Sequence, residues 1–111
     1  LDDTYLNNWY PYLICNQSEG NYEGSDGEFY DSYVNKINDL NNFDIIIIDG
    51  RCRNQCIINS IKKLNKGGLF IVDNAERRKY SDAIKNSIPS NWKKNIFSTK
   101  VDTTIVWEKP I

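Results

Sequence analysis

Two apolar runs that each end on an acid decide how this chain reads: Phe43-Asp44-Ile45-Ile46-Ile47-Ile48-Asp49-Gly50 and Gly67-Gly68-Leu69-Phe70-Ile71-Val72-Asp73-Asn74. Four consecutive β-branched isoleucines with no polar alternation predict a strand buried on both faces, as in a helix-covered parallel sheet. The carboxylates then mark the strand exits. Ligands of open α/β sheets bind in the crevice outside the carboxyl ends of the strands, so Asp49, Asp73 and Asn74 are the first candidates for a site.

Outward from these runs the chain alternates. Tyr12-Leu13-Ile14-Cys15 suits a short strand, and residues 16–27, which hold three of the six glycines, read as a loop. Phe29, Tyr30, Tyr33, Val34, Ile37 and Leu40 recur at threes and fours and predict an amphipathic helix over 28–40, ended by Asn41-Asn42. Ile57, Ile58, Ile61 and Leu64 predict a second helix over about 54–65, with Lys66-Gly67-Gly68 as its stop. A third, over about 75–87, turns Tyr80, Ile84 and Ile88 inward before Pro89 breaks it. Residues 94–99 and 103–108 form two closing strands with hairpin spacing. This order predicts an α/β fold with a mostly parallel sheet, helices on both faces and an antiparallel C-terminal hairpin. There are no internal repeats.

At 111 residues and 40% hydrophobic composition the chain has material for one modest core, hence one domain. A net charge of -1 gives no basic field, so nucleic acid is not expected as a partner. No stretch approaches the roughly 20 apolar residues of a membrane helix and no signal-peptide pattern opens the chain, so a soluble, cytoplasmic protein is expected. There is no histidine, which excludes Ser-His and Cys-His catalysis and deprives zinc of its usual ligands. Cys15, Cys52 and Cys56 are an odd number without disulfide-framework spacing, and Cys52 and Cys56, four apart on one helical face, read as structural thiols. The first residue is Leu1, so the chain is expected to begin inside a longer product.

Residues 43–80 run through Phe43-Asp44, the isoleucines, Asp49-Gly50, a helix, Leu64-Asn65-Lys66-Gly67-Gly68 and a strand into Asp73-Asn74. That order resembles the later half of class I S-adenosylmethionine-dependent methyltransferases. The closing hairpin, with Thr103-Thr104-Ile105-Val106-Trp107, is similar to that family's reversed last strand. The resemblance covers roughly two thirds of the chain and implies a Rossmann-like, Mg2+-assisted or metal-free methyl transfer to a small molecule. The family's first strand and glycine-rich loop have no counterpart here, so the domain is expected to be incomplete at its N-terminus, with an open strand edge beside residues 45–48 that invites self-association.

The resemblance also implies roles for particular acids. Asp49 stands near the transferred methyl group, and Asp2 corresponds to the acid that binds the cofactor ribose. Glu19 or Asp26 corresponds to the acid near the adenine. Asp49, Asp73 and Asn74 match the Asp and Asp-Asn pair that hold a divalent metal in the catechol O-methyltransferase-like branch. Oxygen ligands of this kind suit a hard cation such as Mg2+, which lowers the pKa of a bound hydroxyl. The competing use of these residues is local: Asp49 caps its own turn, and Asp73 and Asn74 cap a helix starting near Ala75.

Arg51, Arg53, Arg77 and Arg78 follow the two acid-terminated strands directly. One reading is recognition of an anionic substrate by guanidinium forks, with Arg51 and Arg77 as the binding residues. The other is ion pairing with Asp49, Asp73 and Glu76, which would also leave less charge to attract a metal. Two further functional classes remain open. One is a non-catalytic binding module on the same fold, favoured by the missing glycine loop. The other is a phosphoacceptor receiver, which lacks the early paired acids and the lysine that such a site needs.

Overall fold

The computed structural model describes residues 12–111. Four strands form one sheet: β1 (Phe43–Ile48), β2 (Leu64–Val72), β3 (Lys93–Ser98) and β4 (Thr103–Glu108), in the order β1-β2-β4-β3. β1 and β2 are parallel neighbours, and β4 runs antiparallel to both β2 and β3. The expected adjacency of the two apolar runs is thus met, and Asp49 and Asp73 leave neighbouring strand ends. The sheet is mixed, however, rather than mostly parallel. One pair is parallel because only the β1–β2 connection carries a crossover helix between adjacent strands, whereas the hairpin sends β4 back between β2 and β3.

Three helices accompany the sheet: α1 (Asp31–Asn35), α2 (Arg53–Ser60) and α3 (Ser81–Ser87). Register fixes which side chains they cover. Ile46 and Ile48 lie beside Phe70 and Val72, which in turn face Trp107 and Ile105 across the β2–β4 ladder. These residues join Ile57, Leu64, Ala83, Ile88 and Trp92 in the core, where Phe70, Ile57, Leu64 and Val72 are fully buried. Among the described residues, the expectations of helices on both faces and of a β1 buried on both faces are therefore corrected. Ile46 and Ile48 are each 6% exposed, while Ile45 and Ile47 are 56% and 63% exposed. The period of two is imposed by one-sided helix packing on a run whose composition hides it.

Several boundaries move for local reasons. No strand forms over 12–15; instead Gln17 and Phe29 exchange backbone hydrogen bonds of 2.8 and 3.0 Å, which removes Phe29 from the helix. α1 shortens and tightens into a 3-10 turn over Lys36–Asp39. The Asp31 carboxylate accepts the amides of Asn21 and Tyr22 at 2.9–3.0 Å, tying the loop to its first turn. α2 passes through a 3-10 turn, Ile61–Lys63, into β2 at Leu64.

Gly67-Gly68 is accordingly not a helix stop but an interruption within β2. Phe43 pairs with Leu64 and Ile45 with Leu69, so extra residues of β2 bulge out between these partners. Gly67 adopts φ +78°, and a Cβ on Gly68 would lie 2.7 Å from the Asp44 carbonyl oxygen. The third helix begins six residues later than expected, because 73–76 form a turn with Asn74 at φ 53° and a 3-10 segment, Arg78–Tyr80, follows. Among the described residues no helix is long and apolar enough to cross a membrane.

Candidate functional site

The ends of β1 and β2 meet around one guanidinium. Arg53, in the first turn of α2, donates from Nε to the Gly50 carbonyl at 3.1 Å and from Nη1 to the Asp73 carbonyl at 2.7 Å. The same Nη1 lies 3.1 Å from Asn74 Oδ1, and Nη2 lies 3.2 Å from Asp49 Oδ1. Its plane rests 5.6 Å from the centre of the buried Tyr80 ring. A flat fork with several donors suits this convergence of acceptors in a way a lysine does not. The residue before it makes the approach possible: Cys52 takes a left-handed conformation at φ 49°, which turns the chain sharply from the strand end into α2.

Asp73 is held from its own turn and from β4. Its Oδ1 accepts the Asn74 amide and the Thr104 hydroxyl, both at 2.9 Å. These donors stabilise the charged form, so the carboxyl is held below its ordinary value, first by Thr104, with the Asn74 amide and the Arg53 charge adding to it. The turn that carries Asp73 is itself pinned to β4, since the Ala75 amide donates to Thr103 O at 2.8 Å and the Thr103 amide to Glu76 Oε1 at 2.9 Å. Neither Asp73 nor Asn74 caps a helix, because no helix starts at Ala75; that local alternative is not what they do.

Asp49, Asp73 and Asn74 are thus brought together as their strand ends required, but Arg53 lies among them. Asp49 Oδ1 and Asn74 Oδ1 already accept from a full positive charge, and Asp73 Oδ1 is taken by two donors. As arranged, the three residues do not fit an added Mg2+, which would meet the guanidinium at hydrogen-bond distance; the ion requires Arg53 to withdraw.

Beside this cluster a cavity of about 460 Å3 opens between the 23–25 loop, the β1–α2 turn and the 77–80 segment. Arg51, Arg77 and Lys79 line it together with Glu23, Asn54 and Gln55. The two substrate-binding candidates, Arg51 and Arg77, therefore share one wall-to-wall space. Of the arginines, Arg53 alone makes the expected ion pair, with Asp49; none to Asp73 or Glu76 forms among the described residues. Asn54 Nδ2 donates to Lys79 O at 2.8 Å and locks two walls together, while Asn54 Oδ1 is buried without a partner among the described residues.

The adenine candidates separate. Asp26 sits in the tight turn 24–27, accepting the Tyr30 hydroxyl at 2.5 Å and the Glu28 amide at 3.1 Å, and these bonds hold it below its ordinary value. Its neighbours Gly24 and Ser25 line the cavity. Glu19 is exposed on the preceding loop and lines no part of that cavity. Asp2 lies outside the described residues. Neither Cys52 nor Cys56 offers a nucleophile at neutral pH: burial raises Cys52 and pushes Cys56 up to about 12.

Sequence reasoning missed Thr104, Lys79 and Glu23. Lys79 extends the visible run Arg77-Arg78-Lys79, and a reader extending the basic stretch by one residue finds it. Thr104 carries no such signal, because its role follows from β4 lying beside β2. Compared with known proteins, the sequence matches no protein-family model and none of the curated proteins.

Proposed function

We propose that this chain forms the C-terminal part of a class I S-adenosylmethionine-dependent methyltransferase domain, acting within a longer chain on a small-molecule acceptor. The observation that carries the reading is the strand arrangement: two parallel strands ending on Asp49 and Asp73, with the last strand reversed and inserted before β3. Two further features support it. Among the described residues β1 pairs on one edge only, and Ile45 and Ile47 project from a face no described helix covers. A preceding strand and its helices, with the glycine-rich loop, would complete both.

The bound cofactor supplies an electrophilic methyl group. This chain's part is positional. Asp49, oriented by Arg53 and still 59% exposed, offers a carboxylate at the strand exit to the cationic donor. Asp26 is the better placed of the two adenine candidates, since its turn borders the cavity, and Asp2 is retained for the ribose. Arg53 supplies the fixed positive charge that a Mg2+ ion would otherwise bring to Asp49, Asp73 and Asn74, so the transfer is read as independent of added metal.

The test is calorimetric titration of the longer chain with S-adenosylmethionine, with and without Mg2+, alongside turnover of Asp49→Ala. Binding in both conditions, with activity lost in the variant and its circular dichroism unchanged, is the expected result. The second reading, a non-catalytic module, is favoured by the absence of a glycine-rich loop in this sequence. No binding in either condition would establish it over the first.

A further inference from the structure

We propose that the cavity between Arg51, Arg77 and Lys79 is a binding site for the phosphate group of a small, hydroxyl-rich phosphate ester. As the acceptor substrate of the reaction, this ligand rests on the methyl-transfer reading; as a ligand of the cavity, it stands on the geometry alone.

Charge comes first. Four cationic side chains line the space, of which Arg53 pairs with Asp49. Arg51, Arg77 and Lys79 form no ion pair among the described residues; one carboxylate, Glu23, stands with them, and Asp26 lies close enough for Arg51 to help lower its pKa. Even counting Glu23 and Asp26, the three cations without an ion pair leave this concavity net positive in a chain whose net charge is -1, which favours an anion. A phosphate ester carries a charge between roughly -1.5 and -2 near neutrality with three acceptor oxygens, which matches several donors better than a single carboxylate does.

The backbone adds donors in the same place. α2 starts here with no side-chain cap on its first-turn amides, and two of the residues that carry them, Asn54 and Gln55, line the cavity. Arg53 does not compete for the ligand, being already committed to four acceptors. Its role is to hold the β1–α2 turn rigid.

Size and polarity narrow the class. A volume of about 460 Å3 is in the range of small-ligand pockets. Glu23, Ser25, Asn54 and Gln55 supply the neutral and acidic part of the lining, and its one aromatic residue, Tyr80, is buried with Arg53 and Lys79 over its ring, so it offers no free platform to stack a base. Acceptors of this kind select hydroxyl groups, so a phosphorylated sugar or polyol fits where an aryl phosphate does not. The walls are also fixed before binding: Asn54 bonds Lys79 O, Gly27 N donates to Gly24 O at 3.0 Å, and the Cys52 thiol reaches Tyr22 O at 3.6 Å.

Amide-resolved NMR of the full chain, titrated with ribose 5-phosphate, ribose, inorganic phosphate and acetate, tests this. The expected result is saturable shifts confined to residues 23–25, 50–55 and 77–80, with ribose 5-phosphate tightest, phosphate weaker, and ribose and acetate silent. Arg77→Gln, exposed and outside the core, should weaken binding about tenfold, and the pair Arg51→Gln with Lys79→Gln further, with unchanged far-ultraviolet dichroism. Shifts spread over distant lysines such as Lys62 and Lys93, equal response to acetate, or indifference to these variants would overturn the site. Titration with S-adenosylmethionine is read separately: phosphate-ester binding without cofactor binding removes the methyl-transfer reading and leaves this site, and the converse removes this site alone.

Discussion

Arg53 Nη2 lies 3.2 Å from Asp49 Oδ1, yet the two side chains belong to different environments, the arginine 12% exposed and the aspartate 59%. The pair is asymmetric: Arg53 is a structural cation held mainly by carbonyl and amide oxygens, and Asp49 is a solvent-facing acid leaning on it. Arg53→Lys should therefore lower stability by about 2 kcal/mol, since one ammonium cannot reach all four acceptors. Asp49→Asn should cost under about 1 kcal/mol. Urea midpoints at unchanged slope read both, and equal costs would contradict the asymmetry.

Asp73 should make stability depend on acid pH through Thr104. Its folded carboxyl sits below the ordinary value of 3.8, so its interactions contribute above that pH and are lost as pH falls through the folded value. Thr104→Val removes the largest cause and moves the carboxyl back up. The stability gap between wild type and variant should be constant from about pH 6 to 8 and shrink below about pH 4. A carboxyl 13C titration of Asp73 checks the same shift directly; an unmoved midpoint in the variant refutes it.

Gly68→Ala should destabilise by about 1–3 kcal/mol, because the new methyl meets backbone oxygens of Asp44 at 2.7 Å and Asn65 at 2.9 Å that have little room to move. Gly67→Ala should cost about 1–2 kcal/mol by a different route, positive φ, since the nearest atom, Ile111 Cγ1, is an ordinary 3.5 Å away. Thermal unfolding of both variants measures this. A neutral Gly68→Ala would place the glycine pair back at a helix end.

The two faces of β1 should answer substitution unequally. Ile48→Ala opens the core and should cost about 2–4 kcal/mol, whereas Ile47→Ala, 63% exposed, should cost under about 1 kcal/mol in this chain. Ile45 and Ile47 share their face with Leu69, Ile71 and Val106, an apolar surface beside an edge of β1 that is unpaired among the described residues. The chain should self-associate, and Ile45→Lys with Ile47→Lys should return it to monomer in sedimentation velocity. A wild-type monomer at high concentration would show that neither edge nor face is adhesive.

What the sequence determined by itself was local and strong. The β-branched runs made β1 and the end of β2, the helix between them made those strands parallel neighbours, and Asp49 and Asp73 followed at adjacent exits because a strand must end where its apolar run ends. The closing hairpin was equally legible from two short strands spaced by a polar turn. Everything that depends on a neighbour far along the chain was settled by the fold instead. Four identical isoleucines cannot say which alternate pair faces the helices; packing on one side decided it. The chemistry of Gly67-Gly68 suits a helix stop or a strand bulge equally, and the approach of Asp44 chose the bulge. Likewise Asp73 and Asn74 read as metal ligands or helix caps, until Arg53 arrived from α2 and Thr104 from β4 to take their oxygens, because a side chain's role is set by which donors the fold brings within about 3 Å of it.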